Sequence, residues 1–255
     1  MSAILLAGGA EFGGRMREPD LHAIELAGGL DVPIRIIPTA AAPDNNHKRA
    51  GNNGVRWFKS LGARDVDVTF VIDKASAQDK SLASHLRSAK LIYLLGGFPR
   101  HLGETLSDSF AWQAVMDAYH AGAVIAGSSA GAMVLCEHYY DPYEGKLLPG
   151  LNLISNACVL PHHNSSGKNW AAQLSELLPG AILIGIDEQT GMINNAGNAE
   201  TTVSASLLSA QREWKVYGAG AVTLYRVEGS KLPGDRSGHP ARRISVYAAG
   251  ESFSL

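Results

Sequence analysis

The sequence predicts an α/β fold, a three-layer αβα sandwich with a mostly parallel central sheet and a short antiparallel edge toward the C-terminal end. Short, uniformly apolar runs alternate with longer helix-like segments, the pattern of strands buried on both faces and joined by crossover helices. The loops that follow several of these runs are rich in glycine or polar groups. They fall where an open α/β sheet collects its ligands, beyond the carboxyl ends of the strands.

The first run, residues 4–7, enters Gly8-Gly9 as a strand enters its loop. Residues 1–6 carry neither a basic leader nor a cleavage site, so they read as core rather than as a signal peptide. Residues 8–14 do not match GxGxxG and are followed by Pro19, so a plain turn is expected there and not a dinucleotide loop. Further strands are expected at 34–37, 66–72, 91–95, 123–126 and 182–186, and helices at 21–27, 47–61, 76–89, 104–120 and 169–177. From Trp214 the character changes. Runs at 214–217, 221–225 and 244–248, separated by glycine turns, suggest the antiparallel edge. Residues 229–243 are basic and punctuated by Pro233, Gly234, Gly238 and Pro240, as in a mobile surface loop. The expected organisation is one domain over 1–255, in which 226–255 form a C-terminal extension containing that loop.

With 255 residues and 45% hydrophobic content, the chain can bury a sizeable core. Its apolar runs, such as 90–95, are far shorter than the roughly 18 to 20 residues that span a bilayer. A net charge of −2 offers no broad attraction to nucleic acid or anionic membrane. Small molecules or peptides are the expected partners, and a homodimer is an allowed assembly. Cys136 and Cys158 could form at most one bridge and lack zinc-site spacing. Both read as buried small hydrophobes, the cytoplasm is the default compartment, and no metal or organic cofactor is called for.

The chemistry starts at Gly127-Ser128-Ser129-Ala130-Gly131, a GxSxG directly after the run Ala123-Val124-Ile125-Ala126. A serine on a sharp strand-to-helix turn projects its hydroxyl from the top of the sheet. Ala132-Met133-Val134-Leu135 continues as helix, so the Ala130 N–H would sit at a helix N-terminus, where donors are unpaired and an anion is favoured. The same turn could serve packing alone. A nucleophile also needs a base and an acid to orient it.

Pro161-His162-His163-Asn164 follows the run 157–160 and places two imidazoles at a strand end, either of which could serve, although side-chain alternation points only one of them toward the elbow. Asp187-Glu188 follows 182–186 and offers an orienting carboxylate, or a cap for the next segment. Gly96-Gly97 offers close backbone approach and a further oxyanion donor, or merely a turn. The order serine, histidine, acid differs from the serine, acid, histidine order of α/β-hydrolases. An esterase of that kind would have to use Ser129, Asp187 and His239, the last within the Pro- and Gly-rich loop.

Taken together, Ile37-Pro38-Thr39-Ala40, Leu61-Gly62-Ala63, Leu94-Leu95-Gly96-Gly97, the elbow with Ala132, Pro161-His162 and Gly185-Ile186-Asp187-Glu188-Gln189-Thr190 make the chain resemble peptidase family S51. This family contains aspartyl dipeptidase (peptidase E) and cyanophycinase, on a fold similar to that of class I glutamine amidotransferases. The resemblance implies a serine hydrolase that cleaves an amide or peptide bond of a small substrate through an acyl-enzyme. It implies Ser129 as nucleophile, His162 as base and Glu188 as acid, with Glu144 as the substitute acid, and Gly97 and Ala130 as oxyanion donors. Phe98, His163, Asn164 and Lys168 are the remaining candidates for substrate contact. Two places depart from the family pattern: Phe98-Pro99 stands where a polar pair follows the Gly-Gly turn, and Ser166-Gly167-Lys168 stands where arginines follow the histidine. Lys168 keeps a positive charge but cannot grip a carboxylate bidentately as arginine does. A fold-retaining binding protein without catalysis is the second reading of such departures.

Overall fold

The computed structural model describes residues 2–195, 213–227 and 242–255. Among these, the chain opens with β1 (Ala3–Ala7), α1 (Arg17–Ala27), β2 (Ile34–Ile37), α2 (His47–Ser60) and β3 (Val66–Val68). It continues through α3 (Lys74–Ala77), α4 (Lys80–Arg87), β4 (Leu91–Leu94), α5 (Pro99–Leu106) and α6 (Phe110–His120). Next come β5 (Val124–Ser128), α7 (Ala130–Val134), the hairpin β6 (His138–Asp141) and β7 (Lys146–Pro149), then β8 (Ala157–Leu160) and α8 (Ala171–Leu177). The remaining strands are β9 (Ile182–Ile186), β10 (Thr190–Asn195), β11 (Glu213–Gly218), β12 (Ala221–Val227), β13 (Arg242–Ala248) and β14 (Ser252–Ser254).

The described residues form an eight-stranded sheet in the order β14-β11-β10-β1-β5-β4-β2-β3. The run from β1 to β3 is parallel, and β10, β11 and β14 add an antiparallel edge. Side-chain alternation sends Ile4, Leu6, Ile92, Leu94 and Ile125 to one face, where they pack with α5, α6 and α7. Leu5, Ile36, Tyr93, Val124 and Ala126 go to the other face, against α1 and α2. Both faces are therefore covered, which is why these strands read as unbroken apolar runs.

The strand expected at 182–186 forms, but outside this sheet. As β9 it pairs parallel with β8 and antiparallel with β12 in a second sheet, ordered β13-β12-β9-β8. Two long helices expected from the sequence are each broken. Asp79 caps α4 by accepting from the Ser81 and Leu82 N–H groups, and so separates it from α3; Ser109 caps α6 by accepting from Trp112 N–H, and so separates it from α5. Pro19 does not interrupt α1. It lies in the first turn, where an amide hydrogen has no intrahelical partner. Most of the basic loop, 228–241 with His239, lies outside the described residues. Beyond it, β13 and β14 are paired members of the two sheets.

Candidate active site

Ser129 lies between β5 and α7 with φ 49° and ψ −112°, a conformation that costs a non-glycine residue about 1–3 kcal/mol and persists only where its surroundings enforce it. They do. Its N–H donates to the Ala7 carbonyl at 2.9 Å on neighbouring β1, and its carbonyl accepts from Met133 N–H at 3.0 Å in α7. Gly131 closes the elbow, for a Cβ there would stand 2.2 Å from the Leu94 carbonyl oxygen.

His162 follows β8 with φ 50°, and its N–H donates to the Gly8 carbonyl at 2.7 Å. Its Nε2 stands 3.0 Å from Ser129 Oγ, and its Nδ1 stands 2.8 Å from Glu188 Oε1. The ring rests on the β1 loop, where a Cβ on Gly9 would come within 2.2 Å of His162 Cε1. The pattern of residues 8–14 predicts a plain turn. In the fold it is the seat of the imidazole.

Glu188 sits in the turn from β9 to β10. Asn164 steadies it by accepting the Glu188 backbone N–H at 3.1 Å, and Gln189 N–H donates to the Gly9 carbonyl at 3.0 Å. The adjacent Asp187 points elsewhere, accepting Ala221 N–H at 2.9 Å. His163 likewise turns from the serine: its Nε2 lies 2.8 Å from the Tyr225 hydroxyl and its Nδ1 3.6 Å from Asp187 Oδ1. Burial pushes the His163 imidazole below its ordinary range, against the pull of Asp187. Glu144 sits between β6 and β7, paired with Arg100 and, at 2.8 Å, with Lys146.

Gly97 has φ 138°, and a Cβ there would stand 2.3 Å from the Ala40 carbonyl oxygen, so only glycine carries the chain past the nucleophile at this point. The next residue, Phe98, donates its N–H to that carbonyl at 2.8 Å and stacks on Tyr143 with ring centroids 4.9 Å apart. A cleft of about 430 Å³ opens beside Ser129 and His162, bounded by Gly97, Pro99, Met133, Tyr143, Pro161 and Trp170 among others. Lys168 is exposed and is not part of this wall.

Glu11 escaped the sequence reading. Its Oε2 accepts the Ser128 hydroxyl at 2.8 Å and its Oε1 accepts the Gly96 N–H at 3.3 Å, so one carboxylate links the residue before the nucleophile to the residue before Gly97. Nothing in the spacing of Gly8 to Gly14 signals this role, because it depends on how the loop folds back. Deeper still, Asp20 is fully buried and accepts the Trp57 indole N–H at 2.7 Å. Burial pushes its pKa up to about 7, with the indole opposing and the Glu11 charge adding.

Among the described residues, no group of three or more His, Cys, Asp or Glu side chains is arranged to hold a metal ion. No helix among them is long and apolar enough to cross a membrane. Cys136 and Cys158 are free thiols, both buried, and burial pushes each thiol pKa up, that of Cys158 to about 12.

The chain is similar to known proteins. A cyanophycinase from Synechococcus elongatus is 26% identical over 232 residues, covering 87% of this chain and 67% of its own. A cyanophycinase from Geminocystis herdmanii is 29% identical over 202 residues, covering 74% of this chain and 72% of its own. A solved peptidase from an acI-B1 Actinobacterium superposes with a TM-score of 0.78 at 27% identity, covering 100% of this chain and 97% of that one. A peptidase E candidate from Listeria monocytogenes EGD-e shares the fold, with a TM-score of 0.59 at 19% identity over 77% of this chain and 96% of its own. The family model for peptidase family S51 matches residues 4–202, and the chain belongs to that family.

Proposed function

We propose that the protein is a serine peptidase that cleaves an amide bond of a small peptide substrate through an acyl-enzyme. The observation that carries this reading is the continuous relay from Ser129 Oγ to His162 Nε2 at 3.0 Å and from His162 Nδ1 to Glu188 Oε1 at 2.8 Å. Its three members come from three different loops, each fixed by backbone hydrogen bonds. His162 takes the hydroxyl proton as Ser129 attacks the carbonyl carbon, and Glu188 holds the imidazole in the tautomer that accepts at Nε2 and stabilises the imidazolium that forms. The N–H groups of Gly97 and Ala130 receive the oxyanion, Ala130 because it opens α7 with its amide free of an intrahelical partner.

His162 then gives its proton to the leaving amine. Water enters, His162 takes one of its protons as the oxygen attacks the acyl carbon, and His162 then returns that proton to the departing Ser129 Oγ as the ester bond breaks, releasing the acid and restoring Ser129. The order along the chain is serine, histidine, acid, unlike the serine, acid, histidine order of an α/β-hydrolase. Turnover of a dipeptide panel tests the proposal: Ser129→Ala and His162→Ala should each lower kcat by about 10⁴-fold or more, and Glu188→Gln by about as much. A wild-type protein that cleaves no member of the panel and takes up no serine-directed phosphonate would make this a binding protein on a peptidase fold.

A further inference from the structure

The cleft beside Ser129 has a definite chemical character. Its lining is Gly97, Pro99, Met133, Pro142, Tyr143 and Pro161, with Trp170, Ser166 and the two catalytic candidates Ser129 and His162. Apart from the imidazole, none of these carries a titratable charge at neutral pH. Arg100, next along the chain from Pro99, is engaged by the Glu104 and Glu144 carboxylates. Lys168 is exposed and lies off the wall. Among the described residues, a carboxylate entering this space would lose its hydration without gaining a cation, whereas an apolar group would lose little and cover Met133, Trp170 and the prolines.

The cleft also lies on a particular side of the scissile bond. Met133 is on α7, which begins at Ala130, and Pro99 begins α5 two residues after Gly97. Each proposed oxyanion donor therefore lies within three residues of one inner wall, Gly97 just before Pro99 and Ala130 one turn before Met133. A carbonyl held by those donors would stand beside Met133 and Pro99, within reach of its own residue's side chain, that of the acyl residue. At about 430 Å³ the space lies near the lower end of the roughly 300–1,000 Å³ typical of small-molecule sites, enough for one large side chain and the reacting amide. Tyr143, one of its walls, is backed by the stacked ring of Phe98.

We infer that the acyl residue of the substrate carries an uncharged apolar side chain, aromatic or long aliphatic, seated between Met133, Pro99, Tyr143 and Trp170. This rests on the reading of Ser129 as the nucleophile. The substrate class is thereby distinct from acidic acyl residues, which need a cation that this lining does not offer.

Two measurements separate the inference from the reading beneath it. A small fluorophosphonate without a side chain should label Ser129, and aminoacyl diphenyl phosphonates should then do so at rates that report the acyl pocket. The phenylalanine phosphonate is expected to react about 100-fold faster than the aspartate one, the scale set by burying one large apolar side chain against an unpaired carboxylate. Ser166→Arg, a change at an exposed position, should move that ratio toward aspartate by at least about tenfold, as expected of a new charged partner. The ratio is read within one variant, so any general loss of reactivity cancels. Fluorophosphonate labelling with equal or faster reaction of the aspartate phosphonate overturns the inference and leaves the nucleophile standing. No labelling at all overturns both.

Discussion

At the scale of single residues, the backbone of Ser129 is held in strain by its neighbours. Because glycine accepts φ 49° without a Cβ clash, Ser129→Gly should be inactive and yet more stable than the natural protein by about 1 kcal/mol, measured by denaturant unfolding. A second residue-scale expectation concerns Asp20. Its folded pKa of about 7 exceeds the ordinary aspartate value of 3.8, so the folded state binds the proton more tightly than the unfolded chain. Stability from this group is full below the lower value and is lost as pH rises through the window between the two. Asp20→Asn keeps an acceptor for the Trp57 indole and removes the titration. It should match the natural protein at low pH and exceed it above neutrality by up to about 4 kcal/mol, each pKa unit being worth ~1.4 kcal/mol. A pH-independent difference between the two proteins would contradict this.

At the scale of elements, Glu11 clamps two loops that the proposed reaction needs in register. Glu11→Ala should leave the fold intact and slow Ser129 phosphonylation by up to about 100-fold, the loss that a displacement of about 1 Å can bring, while Glu11→Gln, able still to accept from one partner, should recover part of it. Equal labelling rates in all three proteins would remove Glu11 from the account. This is also the scale at which the sequence was least legible. The strands announced themselves because both faces of the parallel sheet are covered, and the elbow did because glycine is needed where Gly131 touches Leu94. The helix breaks at Asp79 and Ser109 were passed over because their caps interrupt otherwise continuous helical patterns. Glu11 and the seat formed by Gly9 were missed because their partners, at positions 96, 128 and 162, lie far along the chain.

At the scale of the whole molecule, the two sheets share the work of placing the site: β1 and β5 hold the nucleophile, whereas β8 and β9 carry His162 and Glu188 in from the second sheet. An apolar run such as 182–186 declares that it is buried, but not in which sheet, and the sequence pattern could not distinguish the two. The C-terminal residues are part of this assembly. Phe253 on β14 is buried, stacks on Tyr247 at 4.5 Å and pairs with Trp214 across the strands. Phe253→Ala should cost about 3 kcal/mol by thermal or denaturant unfolding. A change under about 0.5 kcal/mol, the size usual for a surface substitution, would mean that this edge is peripheral.

The account turns on Ser129 as the nucleophile activated by His162. Peptide mapping by mass spectrometry after fluorophosphonate treatment tests this most directly. A single adduct on Ser129, lost in His162→Ala, is the expected result. An unmodified wild-type protein, or an adduct that forms equally well in Ser129→Ala, would contradict it.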